Sequence, residues 1–131
     1  MANPPVAPPA VRRRVLVVDD NLDAAESLAI LMRLAGHEVR MAFDGIEAVK
    51  TAETFQPHIV FLDLGLPKLS GSEAARQIRQ HPWSQGMILV ALTGWGHDKD
   101  RRKSREVGFD DHLVKPANLE DLTKIINRLP V

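Results

Sequence analysis

Five side chains with chemistry to offer stand where apolar runs stop. Val15–Val18 leads into Asp19 and Asp20, and His58–Leu62 leads into Asp63. Ile88–Leu92 leads into Thr93, and Phe109–Val114 leads into Lys115-Pro116. Three carboxylates brought together repel one another, so a cation belongs among them. Hard oxygen donors without Cys or His select magnesium, with manganese as the alternative, over zinc or copper. Acids, a hydroxyl and a lysine around such an ion make a phosphate site. Taken singly, each acid reads as a helix cap, because acids favour helix N-termini. Capping explains one acid, but not two together with a third behind a separate strand.

These residues meet only if the elements bring them together. Short apolar runs bounded by turn residues read as buried strands. Parallel strands of an open α/β sheet present their C-terminal ends at one edge, where ligands bind. From Val15 onward, strand and helix alternate five times. The first helix starts near Asn21, carries Leu28, Leu31, Met32 and Ala35 on one stripe, and stops at Gly36. Val39–Phe43 is the second strand. Asp44-Gly45-Ile46-Glu47 has capping-box spacing and opens a second helix, with Ala48, Val49, Ala52 and Phe55 inward. Ser70-Gly71-Ser72-Glu73 opens a third, which ends before Pro82. A helix near Asp98–Val107 follows Gly94-Trp95-Gly96, and Asn118 caps a last one that buries Leu119, Leu122, Ile126 and Leu129. Near-continuous apolar strands between amphipathic helices make a parallel sheet covered on both faces.

The helix near Asp98–Val107 has almost no apolar stripe. Its charged pairs are each worth only about 0.3–0.5 kcal/mol, so it is read as weakly docked: first as a solvated helix on one side of the sheet, and in the sharper reading as a movable surface element.

The chain is 131 residues long, enough for one domain. Lys plus Arg and Asp plus Glu both total 17, so bulk charge gives no case for nucleic acid or a membrane surface. Without cysteine there are neither disulfides nor thiolate metal sites. No apolar run is long enough to span a bilayer, and the N-terminus has no secretion-signal core, so a cytoplasmic location is expected. Residues 1–12 read as a proline-rich tail or linker, and 13–131 as the folded domain. Arg12-Arg13-Arg14 is read as a solvated charge run ahead of the first strand. The five histidines show no metal-ligand spacing and are read mostly as surface residues.

At this point four patterns, in order, resemble a family. Val18-Asp19-Asp20-Asn21, Leu62-Asp63-Leu64-Gly65-Leu66-Pro67, Leu92-Thr93-Gly94 and Val114-Lys115-Pro116 are similar to the receiver domains of two-component response regulators. The similarity runs from about Arg14 to Leu129. It implies a flavodoxin-like, doubly wound sheet of five parallel strands in order 2-1-3-4-5, with five helices. It further implies that Asp63 accepts a phosphoryl group. Asp20 and Asp63 would bind Mg²⁺ directly, Asp19 would act through water, and Gly65 would offer its carbonyl. Lys115 would pair with a phosphoryl oxygen, and Thr93 would hydrogen-bond the phosphoryl group. The Lys115-Pro116 peptide would be cis. Thr93 and His112 would form the switch, His112 standing where Tyr or Phe is usual. The switched surface would be the predicted fourth helix, fifth strand and fifth helix. The donor would be a phosphohistidine on a sensor histidine kinase or histidine phosphotransfer protein. The domain would catalyse only its own phosphorylation and dephosphorylation. The proline-rich lead and Ala91-Leu92-Thr93-Gly94-Trp95-Gly96 resemble receivers attached to hybrid kinases.

The chain departs from the pattern in places. Gly65 gives no side chain where many relatives have a polar one, and Trp95 is bulky where small or polar residues are frequent. Both positions flank the path of hydrolytic water. Three rival readings compete. A haloacid-dehalogenase-type phosphatase wants a second Asp two residues after the first, where Gly65 stands. A flavin binder wants a hydroxyl-rich loop after the first strand, where Asp19-Asp20-Asn21 would repel phosphate. A passive interaction module would not need all five residues.

Overall fold

The structure, a computed structural model, describes residues 12–94 and 107–129. Five strands form one sheet: β1 (Arg14–Val18), β2 (Glu38–Ala42), β3 (Ile59–Asp63), β4 (Ile88–Thr93) and β5 (Asp111–Val114). All pairings are parallel, and the order is β2-β1-β3-β4-β5, as the resemblance implies. Between them lie α1 (Leu22–Leu34), α2 (Gly45–Phe55) and α3 (Gly71–Arg79), and the C-terminal helix spans Leu119–Asn127. The predicted helix near Asp98–Val107, with Trp95, Gly96 and most of the proline-rich segment, lies outside the described residues.

The sheet is buried on both sides, and alternation along each strand divides the core in two. Val15, Val17, Ile59, Phe61, Val90 and Leu92 pack with α1 and the C-terminal helix. Leu16, Val18, Val60, Leu62, Leu89 and Ala91 pack with α2 and α3. A strand buried on both faces has no polar side to show, which is why these segments read as unbroken apolar runs.

The caps form where the spacing places them. Asn21, Asp44, Ser70 and Asn118 each accept the N–H three residues on. The reciprocal half of the capping box differs from expectation. Glu47 accepts from the N–H of Phe43, one residue before the cap, and Glu73 pairs with Arg76 instead. Gly36, at φ 98°, ends α1 as expected, because that region favours a residue without Cβ.

Two readings are corrected at the N-terminal edge of the sheet. Of Arg12-Arg13-Arg14, read as a solvated run, only Arg12 is exposed. Arg13 is 8% exposed, and its guanidinium donates to the Leu129 carbonyl at 3.4 Å. Nε of Arg14 donates to the carbonyls of Phe55 and Gln56 at 3.2 and 2.8 Å. Helices finish here, their last carbonyls lack intrahelical partners, and the arginines supply donors. His37, expected at the surface, is 7% exposed, and His58 is half-buried; His37 accepts the N–H of Arg13, just ahead of β1, and His58 that of Arg14, its first residue.

Candidate phosphoryl-accepting site

Parallel register brings the chemistry to the opposite edge. Asp63 pairs in register with Leu92, and Thr93 with Val114, so the ends of β3, β4 and β5 stop side by side. The N–H of Lys115 donates to the Thr93 carbonyl at 2.7 Å, and that of Asp19 to the Ala42 carbonyl at 3.2 Å. Continuing each strand by one residue therefore fixes where these side chains start.

One carboxylate oxygen each from Asp19, Asp20 and Asp63 lies within 4.8 Å of the others. Their settings differ. Asp19 is 2% exposed, Asp63 is partly exposed and Asp20 is open to solvent. Nζ of Lys115 lies 2.7 Å from Oδ2 of Asp19 and 3.3 Å from Oδ2 of Asp63. Burial pulls the Lys115 ammonium down, but the hydrogen bond to Asp19 and the charges of Asp63 and Asp19 outweigh it. The lysine titrates above its ordinary range and stays charged. By formal charge, three carboxylates face one ammonium, a surplus of two negative charges within this group. Hard oxygens with surplus negative charge fit a divalent cation of the magnesium type.

Backbone shape positions the nucleophile candidate. The N–H of Gly65 donates to Oδ1 of Asp63 at 3.3 Å, and the N–H of Asn21 to Oδ1 of Asp19 at 3.0 Å. Gly71, the first residue of α3, passes directly beneath β3. A Cβ there would sit 2.2 Å from the Asp63 carbonyl oxygen, so only glycine allows the approach. The sequence reading recognised Gly71 as part of a cap but missed this contact; no local signal reveals it. The β3–α3 loop is also tied to α2: Lys68, in the left-handed region at φ 64°, pairs with Asp44 at 3.4 Å. The Asp44 carboxyl is held below its usual range, first by the Glu47 N–H and then by the Lys68 charge.

Thr93 is 7% exposed at the β4 end, and the Lys115-Pro116 peptide is cis. His112 stands half-buried on β5, whose residue Asp111 accepts the His112 N–H and pairs with Arg128 at 2.8 Å. A cleft lined by Asp19, Asn21, Ala24, Leu28, Lys115 and Pro116 opens between α1 and the β5 end. Leu22, 59% exposed, begins the helix beside it. The structure thus brings Asp19, Asp20 and Asp63 within 4.8 Å of one another, with Lys115 against Asp19 and Asp63. Thr93 and Gly65 are hydrogen-bonded to this group through backbone, and His112 lies two register positions back along β5 from the Thr93–Val114 pair.

Residues 15–127 match the model of the response regulator receiver domain. Among curated relatives, the chain is 30% identical over 116 residues to the DNA-binding dual master transcriptional regulator RpaA of Synechocystis, covering 88% of this chain and 48% of that protein. It is 36% identical over 106 residues to the alkaline phosphatase synthesis transcriptional regulatory protein PhoP of Bacillus subtilis, covering 81% and 43%. The chain thus spans about half the length of these relatives. The receiver domain of the sensor histidine kinase PA1611 from Pseudomonas aeruginosa, solved with a magnesium ion in its active-site cleft, superposes with a TM-score of 0.83 at 30% identity, covering 91% of this chain and 98% of that one. The receiver domain of Ssk1 from Saccharomyces cerevisiae, solved with the phosphotransfer protein Ypd1, gives 0.83 at 35%, covering 90% and 88%.

Proposed function

The chain belongs to the response regulator receiver domain family and is a receiver domain of two-component signalling; on that premise we propose that Asp63 takes a phosphoryl group from a phosphohistidine. The single observation that carries the assignment is the group of three carboxylate oxygens within 4.8 Å, bridged on one side by Lys115. Neither the phosphatase nor the passive-module reading gains support.

Each side chain has a role that its setting supports. Asp20 and Asp63, with the carbonyl of Gly65, would hold Mg²⁺ directly, and sealed Asp19 would act through water. Bound there, the ion neutralises phosphoryl oxygens that would otherwise repel a carboxylate. Asp63 presents Oδ2 while Oδ1 accepts the Gly65 N–H, which fixes the carboxylate plane. As its oxygen bonds to phosphorus, the phosphorus–nitrogen bond of the donor breaks and the imidazole leaves. Lys115 already touches Asp63 and can pass to a phosphoryl oxygen with little motion, which is positioning rather than proton transfer. Thr93 would donate its hydroxyl to the phosphoryl group, and His112 would follow it as the second switch residue. The reaction is on the domain itself and not on a separate substrate.

The donor would dock beside α1, where the cleft is bordered by Asp19 and Lys115. Its owner would be a sensor histidine kinase or histidine phosphotransfer protein, a reading supported by the Ssk1–Ypd1 neighbour. No described helix is long and apolar enough to cross a membrane, which fits the cytoplasmic setting proposed here. Incubation with a small phosphodonor, with and without Mg²⁺, tests the function by intact mass. One phosphoryl group should add, only with the metal, and Asp63→Asn should add none. Equal incorporation in that variant would refute the assignment.

A further inference from the structure

Two imidazoles hold the start of β1, at the sheet edge opposite the acids. The N–H of Arg13 donates to Nδ1 of His37 at 3.0 Å, and the N–H of Arg14 donates to Nδ1 of His58 at 2.9 Å. His37 precedes β2 and His58 precedes β3, so the rings flank β1 on its two sides. The same residues close the ladder in the other direction. The Glu38 N–H donates to the Arg13 carbonyl at 3.0 Å, and the His58 N–H to the Arg14 carbonyl at 2.9 Å. Each ring therefore takes the place of a strand carbonyl and extends the sheet by one step. An accepting Nδ1 keeps its lone pair, so both rings are neutral with the proton on Nε2.

A proton on Nδ1 would face one donor with another. The surroundings already oppose it. Burial comes first for both rings; the guanidiniums of Arg13 and Arg12 then act on His37, and those of Arg14 and Arg13 on His58. From the packed elements, Arg33 at the end of α1 turns to the Val39 carbonyl, and Glu38 of β2 and Glu53 of α2 are exposed. We propose that His37 and His58 form an acid-sensitive latch on the entry of the chain into the sheet, which releases Arg12–Arg14 when the two rings protonate. Because the Arg13 side chain also reaches the Leu129 carbonyl, the same release frees the end of the C-terminal helix.

The sign follows from linkage. Both rings titrate below the ordinary 6.5, so the opened form binds more protons than the closed form just below that pH. The latch is fully in place above 6.5 and is lost as pH falls through each ring's own lower value. Amide hydrogen exchange on the whole chain, corrected for intrinsic exchange, reads this at Arg13 and Arg14. Their protection should fall about tenfold per pH unit, for each ring released, within that window. Protection at Val17 and Leu62, deep in β1 and β3, should hold. The double variant His37→Asn/His58→Asn keeps an acceptor near each N–H but cannot titrate, so its Arg13 and Arg14 protection should stay flat. Imidazole ¹⁵N shifts of the unaltered protein decide the matter without a variant: Nδ1 must be unprotonated near pH 7.5 and gain its proton as protection is lost. Unchanged protection down to about pH 5, or an equal fall in the asparagine variant, overturns the latch.

Discussion

The two edges of this sheet are built from opposite charges and solve opposite problems. At the C-terminal edge, Asp19, Asp20 and Asp63 gather around one lysine. At the N-terminal edge, Arg13 and Arg14 gather among the last carbonyls of α2 and of the C-terminal helix, with two neutral histidines. The parallel winding sets up this polarity, because helices begin at one edge and end at the other. The lesson lies in satisfaction. The arginines and histidines find their partners within the chain, so that edge is finished on folding. Among the described residues the acids keep a surplus of formal negative charge, so that edge fits a cation from outside the chain. Removing a charge should therefore destabilise the finished edge and relieve the unfinished one.

Lys115 is the informative exception, since among the described residues it alone forms ion pairs with these acids. Lys115→Ala strands the sealed Asp19 carboxylate, and we expect a loss of about 3 kcal/mol in urea unfolding without metal. Mg²⁺ should recover part of it. A loss below about 0.5 kcal/mol would mean that the pair behaves like a surface bridge and that the two edges are not so different.

At the other edge, Arg13→Ala should cost about 1 kcal/mol, because the carbonyl of buried Leu129 loses a charged donor. Urea denaturation of the metal-free protein measures it. A neutral or stabilising effect would break the contrast. The smallest effect sharpens it most: Asp20→Asn, at an exposed position, should stabilise the metal-free domain by up to about 0.5 kcal/mol. The same change should weaken Mg²⁺ about tenfold or more by calorimetry, since a direct ligand is lost. Destabilisation together with unchanged Mg²⁺ affinity would remove Asp20 from the site.

Much of the acidic edge was legible in the sequence, because Asp19, Asp63 and Thr93 each follow an almost wholly apolar run, while Lys115 follows the mixed run Phe109–Val114. Once Val15–Val18, His58–Leu62, Ile88–Leu92 and Phe109–Val114 read as parallel strands, their next residues had to converge. The caps at Asn21, Asp44, Ser70 and Asn118 were legible for the same local reason. The arginine edge was not. A charge-run rule sees Arg12-Arg13-Arg14 as water-seeking, and only the fold reveals that helix carbonyls end beside them. His37 and His58 lie 21 residues apart and meet β1 only through strand pairing, so no spacing announces them. Gly71 beneath Asp63 is likewise a tertiary contact, hidden inside a capping motif.

The account rests on Asp63 as the one acceptor at the unfinished edge. The most direct measurement is mass-spectrometric mapping of the phosphorylated protein, after reduction of the acyl phosphate to fix its position in the peptide. We expect the label at Asp63 alone, present with Mg²⁺ and absent when the metal is chelated. Label on Asp19, Asp20 or a histidine, or label formed equally without metal, would contradict it.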